Sequence, residues 1–252
     1  MQKHIYDLRY EVDKTEWRIR AKRDIVYQLW EQFRSGKQSS EISDKAYLDL
    51  GCGTGVLQEE FEKKYAGTTA YGIDVMKEAI EYCKKRGLER ANLYDGKKIP
   101  FKDNTFDLLT AIDVLEHIED DTFSLNEIKR VLKKGGLGIF IVPAHMQLWS
   151  TRDIRLQHYR RYQFGELEKK CKDAGFKVMT SKNADFLLYF VLLLMAKTAK
   201  KNKDGVAELG METAQAPLLV NEAAYIYECL ENFWLRIADF PIGISKVVVV
   251  RK

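Results

Sequence analysis

The sequence has no pair of cysteines spaced C-x-x-C. Its four cysteines, Cys52, Cys83, Cys171 and Cys229, are scattered, and its four histidines form no cluster at zinc-ligand spacing. Neither a disulfide framework nor a metal site is expected, and a reducing, cytoplasmic compartment is the simplest reading. Long hydrophobic runs are missing too. The longest, FLLYFVLLLMA from Phe186 to Ala196, is about half of the roughly 20 residues a spanning helix needs, so no transmembrane segment is expected. The opening MQKHIYDLRYEVDK is charged throughout and has no apolar stretch, so no secretory signal is expected there. A large excess of charge of one sign is missing as well. A formal net charge of +4 without a clustered patch gives no argument for a nucleic-acid partner. No internal repeat or low-complexity segment interrupts the chain.

What is present is an ordinary globular composition. With 252 residues, 46% hydrophobic and 31% charged, the chain can bury one sizeable core with an appended subdomain. EWRIRAKRDIVYQLWEQF, Glu16 to Phe33, spaces Trp17, Ile25, Leu29, Trp30 and Phe33 for one or two helices, and RSGKQSSEISDK, Arg34 to Lys45, reads as a polar loop. A regular alternation follows. AYLDL, TAYGID, ANLYD, TFDLLTAI and LGIFIVPA read as strands, and the segments VLQEEFEKKYAG, MKEAIEYCKKRG and DDTFSLNEIKRVLKKGG read as helices, each with a glycine stop. The helix FGELEKKCKDAG leads to a sixth strand, FKVMTSKNA, and ISKVVVVRK is the last. Strands apolar on both faces, alternating with helices, imply a doubly wound α/β fold with a mostly parallel seven-stranded sheet. The chain divides into an N-terminal helical cap (1–45), a core (46–184 and 241–252) and a helical insertion (185–240).

The densest signal is YLDLGCGTGVL, Tyr47 to Leu57, which puts Gly51, Gly53 and Gly55 in the first strand-to-helix turn. In an open parallel sheet that turn borders the ligand crevice at the carboxyl ends of the strands. Three glycines forfeit side-chain packing and cost backbone entropy, which points to a ligand lying against the main chain. The dinucleotide pattern G-x-G-x-x-G fails because residue 56 is Val56, and no G-K-[ST] follows to make a phosphate loop.

The spacing resembles motif I of class I S-adenosylmethionine-dependent methyltransferases, with Asp49 ahead of Gly51, Gly53 and Gly55. Four further segments resemble that family in order: YGIDVMKEAI, YDGKKIPFKDNTFD, AIDVLEHIED and EIKRVLKKGG, the last with Lys134 where the family has proline. The resemblance implies a Rossmann-like methyltransferase fold, S-adenosylmethionine as cofactor and S-adenosylhomocysteine as product. It assigns cofactor binding to Asp49, Gly51, Cys52, Gly53 and Gly55, to Asp74 on the ribose hydroxyls with Val75 and Met76 beside it, to Asp95 near the adenine with Gly96, and to Ile112, Asp113 and His117 beside the methionine. Backbone amides at the helix start after Gly55 would favour a carboxylate.

VPAHMQLWSTRDIRLQHYRRYQFGELEKKCKDAGFKV, with EWRIRAKR and DFPIGISKVVVVRK, resembles a bacterial and archaeal subgroup associated with surface-polysaccharide or lipid-carrier biosynthesis. The segment Pro143 to Tyr162 holds His145, Trp149, Asp153, His158, Tyr159, Arg160, Arg161 and Tyr162. His145 and His158 are candidate general bases. Trp149 and Asp153 are candidate acceptor contacts, and Arg160 and Arg161 a candidate clamp for phosphate or carboxylate. An alternative for the same residues is a buried network of Arg–Asp pairs. DVLEH after the fourth strand lacks the Asn/Asp-Pro-Pro of amide and adenine-nitrogen enzymes, and no cysteine fits a pyrimidine-carbon nucleophile. Oxygen methylation of a small-molecule, glycan or lipid-linked acceptor is therefore expected. An RNA methyltransferase using HYRRY, or a non-catalytic cofactor-binding subunit, is the alternative. ADFLLYFVLLLMAKTAKK, Ala184 to Lys201, is apolar nearly all round. It reads either as a buried packing helix or dimer contact, or as an apolar entrance making peripheral membrane contact with Lys197, Lys200 and Lys201 at an anionic headgroup.

Overall fold

In the computed structural model residues 3–34, 45–208 and 217–252 are described; most of the expected polar loop, residues 35–44, and residues 209–216 of the insertion lie outside them. Helices α1 (Lys3–Val12) and α2 (Trp17–Phe33) come first. The core runs β1 (Ala46–Leu50), α3 (Val56–Lys64), β2 (Thr69–Asp74), α4 (Lys77–Lys85), β3 (Ala91–Leu93), β4 (Phe106–Ile112), α5 (Asp121–Val131) and β5 (Leu132–Pro143). There follow α6 (Thr151–Arg155), α7 (Glu166–Asp173), β6 (Lys177–Ala184), α8 (Phe186–Thr198), α9 (Leu218–Trp234) and β7 (Ser245–Arg251). The expected seven-stranded α/β sheet is present, in the order β3-β2-β1-β4-β5-β7-β6. Only β7 is antiparallel to its neighbours.

Alternation along the strands explains the two-sided core. Tyr47, Leu108, Ile139, Ile141, Val247 and Val249 face one side, against Ile25, Leu29 and Trp30 of α2 and Phe61 of α3. Leu48, Leu50, Leu109, Phe140 and Val142 face the other, against Leu125 and Ile128 of α5 and Leu167 of α7. Residues one apart on a strand point to opposite faces, so each strand needs both helical layers to keep its side chains dry.

One boundary differs from expectation. The sequence pattern ends a helix at Gly135–Gly136 and starts the fifth strand at Leu137; the helix stops at Val131 and β5 begins at Leu132. Gly135, with φ +81°, bonds through its amide to the carbonyl of Lys252, 2.9 Å away. Pairing with the chain's last strand captures the glycine pair into the sheet, overriding the local stop signal.

The direction of β7 follows from where the insertion is attached. Ala184, the last residue of β6, is paired with Ser245, the first of β7. The helical excursion therefore leaves and re-enters at one point on the carboxyl end of the sheet, and the returning chain runs antiparallel. Helix α9 packs on α2: the Asn221 side chain accepts from the Trp17 amide at 3.1 Å and donates to the Thr15 carbonyl at 2.9 Å. The Arg20 guanidinium lies 3.5 Å from the Tyr225 ring centroid. Cap and insertion thus share an interface.

Helix α8 does not bury its apolar circumference. Tyr189 is its buried residue, whereas Leu187, Phe190, Val191 and Leu194 are about half exposed or more. Among the described residues the expectation of a packed, enclosed helix is thus not met. No helix among the described residues is long and apolar enough to cross a membrane.

Candidate functional site

Strand order reverses between β1 and β4, and the crevice at their carboxyl ends is where an open α/β sheet receives its ligand. The glycine loop opens directly onto it. Gly53 has φ +55°, and a Cβ there would meet nothing within 4 Å; its amide donates to Asp74 Oδ2 at 2.9 Å. The other Asp74 oxygen accepts from the Met76 amide at 2.9 Å, and each oxygen retains a second lone pair for an incoming hydroxyl. Gly51 and Gly55 are glycines for a different reason than a ligand's approach. Cβ atoms there would fall 2.4 Å from Val114 Cγ2 and from Leu88 Cδ1 respectively, and both φ angles are positive. Their role is to let the loop lie against β4 and α4.

Asp49 is buried below the loop and accepts a hydrogen bond from Thr110 Oγ1 at 2.7 Å, while that hydroxyl also meets the Tyr47 hydroxyl at 2.7 Å. Burial raises its pKa to about 7; burial raises Asp74 as well. A carboxyl whose folded pKa lies above its unfolded value binds a proton more tightly when folded. Stability from this group is therefore full at acid pH and declines as pH rises from about 4 to about 7, by up to about 1.4 kcal/mol per pH unit. Relative to wild type, Asp49→Asn should gain stability across that window and stay level above it. Parallel stability–pH curves from urea unfolding would contradict the assignment.

The other residues that the resemblance assigns to the cofactor take these positions. Cys52 is buried, its sulfur 3.9 Å from that of Cys83. Val75 is 52% exposed at the crevice lip, and Gly96 stands beside it: a Cβ on Gly96 would be 3.3 Å from Val75 Cγ1. Asp95 is exposed, and its carboxylate accepts from the Lys97 amide at 2.9 Å. Ile112 ends β4, and Asp113 follows with φ +52°, its carboxylate held by Lys22 at 2.5 Å. Lys22, with Arg9 and Arg18, keeps Asp113 ionised, lowering its pKa against the raising effect of burial.

The segment after β5 splits into two groups. Asp153 is fully buried and is the hub of a network: it accepts from Arg161 Nε at 2.8 Å and Nη2 at 3.1 Å, from the Ser150 amide at 2.9 Å and from His158 Nδ1 at 3.0 Å. Burial opposes its ionisation, but these donors win and bring it down to about 2. Arg160 is spent on Asp121 Oδ2 at 2.9 Å and on the Glu119 carbonyl at 2.6 Å. The expected clamp of Arg160 and Arg161, and the expected acceptor contact by Asp153, are corrected accordingly: all three are committed to partners within the fold. Trp149 is half-buried behind a short 3₁₀ turn at Met146–Leu148. His145, with φ +64°, packs its ring 5.5 Å from that of Tyr189, and its buried Nε2 has no partner.

His158 is the histidine that the network orients. With Nδ1–H directed at Asp153, Nε2 is left with a free lone pair. Its ring meets that of His117 edge-on at 4.6 Å, and Glu116 lies beside both. The fold brings His158 to Glu116 and His117 from a separate segment, so spacing along the chain gave no sign of them.

Sequence reasoning also missed the N-terminal contribution. Tyr6 of α1 is buried against Ala79 and Tyr82 of α4 and close enough to Asp74 and Cys52 to feel both. Asp13 accepts from the Thr54 hydroxyl. Around Asp113 converge Arg9, Arg18 and Lys22; Arg152, next in this group, has its pKa lowered by burial and by repulsion from Arg18 and Arg161. The alternating basic residues of EWRIRAKR were the available signal for this patch.

Comparison with known proteins agrees with this geometry. Residues 48–140 match the methyltransferase domain family. An uncharacterized protein of Methanocaldococcus jannaschii is 31% identical over 137 residues, covering 52% of this chain and 63% of that protein. A ubiquinone biosynthesis O-methyltransferase of Nitrosomonas europaea is 31% identical over 105 residues, 39% of this chain and 44% of its own length. The chain thus spans roughly half the length of these curated relatives. In fold it resembles phosphoethanolamine N-methyltransferase 2 of Haemonchus contortus, solved with S-adenosyl-L-methionine, at a TM-score of 0.57 and 18% identity, covering 90% of this chain and 51% of that one. The matched region, set in a Rossmann-like sheet, is thus similar to a methyltransferase domain.

Proposed function

We propose that the chain transfers a methyl group from S-adenosylmethionine to an oxygen of an acceptor that carries an anionic group and is a small molecule, a glycan or a lipid-linked species. The single observation that supports this most is the juxtaposition, at one end of the sheet, of the Gly53–Asp74 crevice and a histidine oriented by a buried carboxylate. When bound, the cofactor supplies an electrophilic methyl on a sulfonium, so positioning accounts for much of the rate. The chain's own work is then to remove a proton. His158 Nε2, its tautomer set by Asp153, accepts the hydroxyl proton of the acceptor. Proton removal by His158 would leave the acceptor oxygen free to form its C–O bond with the methyl group as the S–C bond of the bound cofactor broke, the sulfur departing as a neutral thioether. Arg152, whose ionisation is opposed by burial and by the charges of Arg18 and Arg161 near it, supports an acceptor with a phosphate or carboxylate. His145, turned toward Tyr189, has no comparable orienting partner. Because Arg160 and Arg161 are spent on carboxylates, HYRRY gains no support as a nucleic-acid strip.

The same reading extends to a peripheral contact with an anionic membrane. Helix α8 carries its exposed apolar side chains directly into exposed Lys197, Lys200, Lys201 and Lys203. It is anchored beside the site by Leu148, Tyr189 and Ile244. Apolar insertion next to several ammonium groups matches a surface of anionic lipid.

Cofactor recognition is tested by Asp74→Ala. Loss of charge-assisted bonds worth roughly 1.5–3 kcal/mol should raise the dissociation constant of S-adenosylhomocysteine about tenfold or more by calorimetry. An unchanged constant would remove Asp74 from the ribose.

A further inference from the structure

Glu116 is fully buried, yet neither carboxylate oxygen has a hydrogen-bond partner. A carboxylate in that condition is among the costliest groups to enclose, and its burial is normally compensated by a proton, a cation or a donor. Burial, with Asp113 adding to it, pushes the Glu116 pKa well above the carboxylate range. One ligand atom from each of Glu116, His117 and His158 lies within 4.8 Å of the others.

We propose that Glu116, His117 and His158 form a binding site for a divalent transition-metal ion, zinc being the best match to two imidazoles and one carboxylate with open coordination positions. The surroundings of both imidazoles fit this role. Nδ1 of His158 is engaged by Asp153 at 3.0 Å, and the ring of His117 is hydrogen-bonded to the backbone of Gln157. Ligating histidines typically spend their second nitrogen in these two ways, on a carboxylate or on a backbone carbonyl, which fixes the tautomer and aims the remaining lone pair inward. Ligands about 2.1 Å from a common zinc ion are at most about 4.2 Å apart, so any pair standing wider than that must draw in on binding. His117 is the exposed member of the three. Local charge allows it, since Asp113 and Asp153 offset Lys22 and Arg161 around Glu116.

The inference rests on the proposed oxygen methylation only for the ion's use. An ion at the His158 Nε2 would take over from that nitrogen as activator. Held by Glu116, His117 and His158, the ion would supply a Lewis acid that eases loss of the acceptor hydroxyl's proton to solvent, before that oxygen takes the methyl group and the S–C bond breaks.

The test is titration of the metal-free full chain with cobalt(II) chloride, followed by its visible absorption, with zinc chloride as competitor. One equivalent should bind with an intense low-symmetry band that zinc bleaches. Glu116→Gln and, separately, His117→Asn should each weaken binding beyond the roughly 10–100-fold that outer-sphere partners are worth. His117 lies at the surface, so its variant tests the site even if the buried Glu116→Gln fails to fold. Binding that is absent from wild type, or indifferent to both substitutions, overturns the proposal. Calorimetry with S-adenosylhomocysteine on the same samples reads cofactor recognition independently. Metal binding with no cofactor binding sinks the methyltransferase reading and spares the ion site; cofactor binding without metal does the reverse.

Discussion

Replacing Asp153 by Ala is expected to lower the free energy of unfolding by about 3–5 kcal/mol, the cost of leaving a buried charge without its partner. The charge left behind is Arg161, itself buried, whose Nε and Nη2 both donate to this carboxylate. The substitution also removes the acceptor for the Ser150 amide and the group that orients His158. Urea unfolding should show a lower midpoint at unchanged slope. The double variant Asp153→Ala with Arg161→Met should recover part of the loss, because it removes the stranded guanidinium as well as its partner. A loss below about 1 kcal/mol would mean that the guanidinium finds water, and that the network does not hold His158 in place.

Replacing Lys197, Lys200 and Lys201 together by Gln is expected to weaken partitioning onto anionic vesicles about a hundredfold at low salt. The figure follows from about 1 kcal/mol for each lysine near such a surface. Sedimentation with vesicles of phosphatidylglycerol and phosphatidylcholine reads the effect, and raising the salt should mimic the substitution. Leu194, 64% exposed on α8, supplies the apolar arm of the test: Leu194→Asp should reduce binding where salt has little effect. If wild type stays in the supernatant, and Leu194→Asp instead splits a dimer in size-exclusion chromatography, the exposed face is a contact between copies of the chain.

The sheet was legible in the sequence because its strands carry redundant signals: apolar residues on both faces, a glycine at the end of most helices, and short loops. TAYGID is recovered residue for residue as β2. Where two signals compete, the local one can lose, as at Gly135–Gly136, where pairing with β7 outweighs the helix stop. The crevice at the carboxyl end of the sheet was legible through a resemblance in the spacing of residues close in sequence, Asp49 to Gly55 and then Asp74. Gly51 and Gly55 show the limit of that reading, since their neighbours Val114 and Leu88 become visible only when distant segments meet. The same limit hid the grouping of Glu116 with His158 and the arrival of Arg9, Arg18 and Lys22 at Asp113. Arg160 and Arg161 misled for a related reason. A guanidinium in a loop after a strand looks available until its carboxylate, Asp121 or Asp153, is brought beside it. Helix α8 reads as buried from hydrophobicity alone, because sequence reports how apolar a face is and not whether the chain supplies anything to cover it.

The central claim, methyl transfer from S-adenosylmethionine to an oxygen acceptor, is tested most directly by incubating the protein with methyl-labelled cofactor and fractionated lipid, glycan and RNA extracts. The account predicts label in the lipid or glycan fraction as a methyl ether or ester. That label should fall with Asp74→Ala at cofactor concentrations that leave the weakened site unfilled, and be reduced about 10²–10⁴-fold with His158→Asn, which removes the nitrogen at which the acceptor hydroxyl is activated. Label confined to RNA, or no label in any fraction from a protein that binds the cofactor, would contradict it.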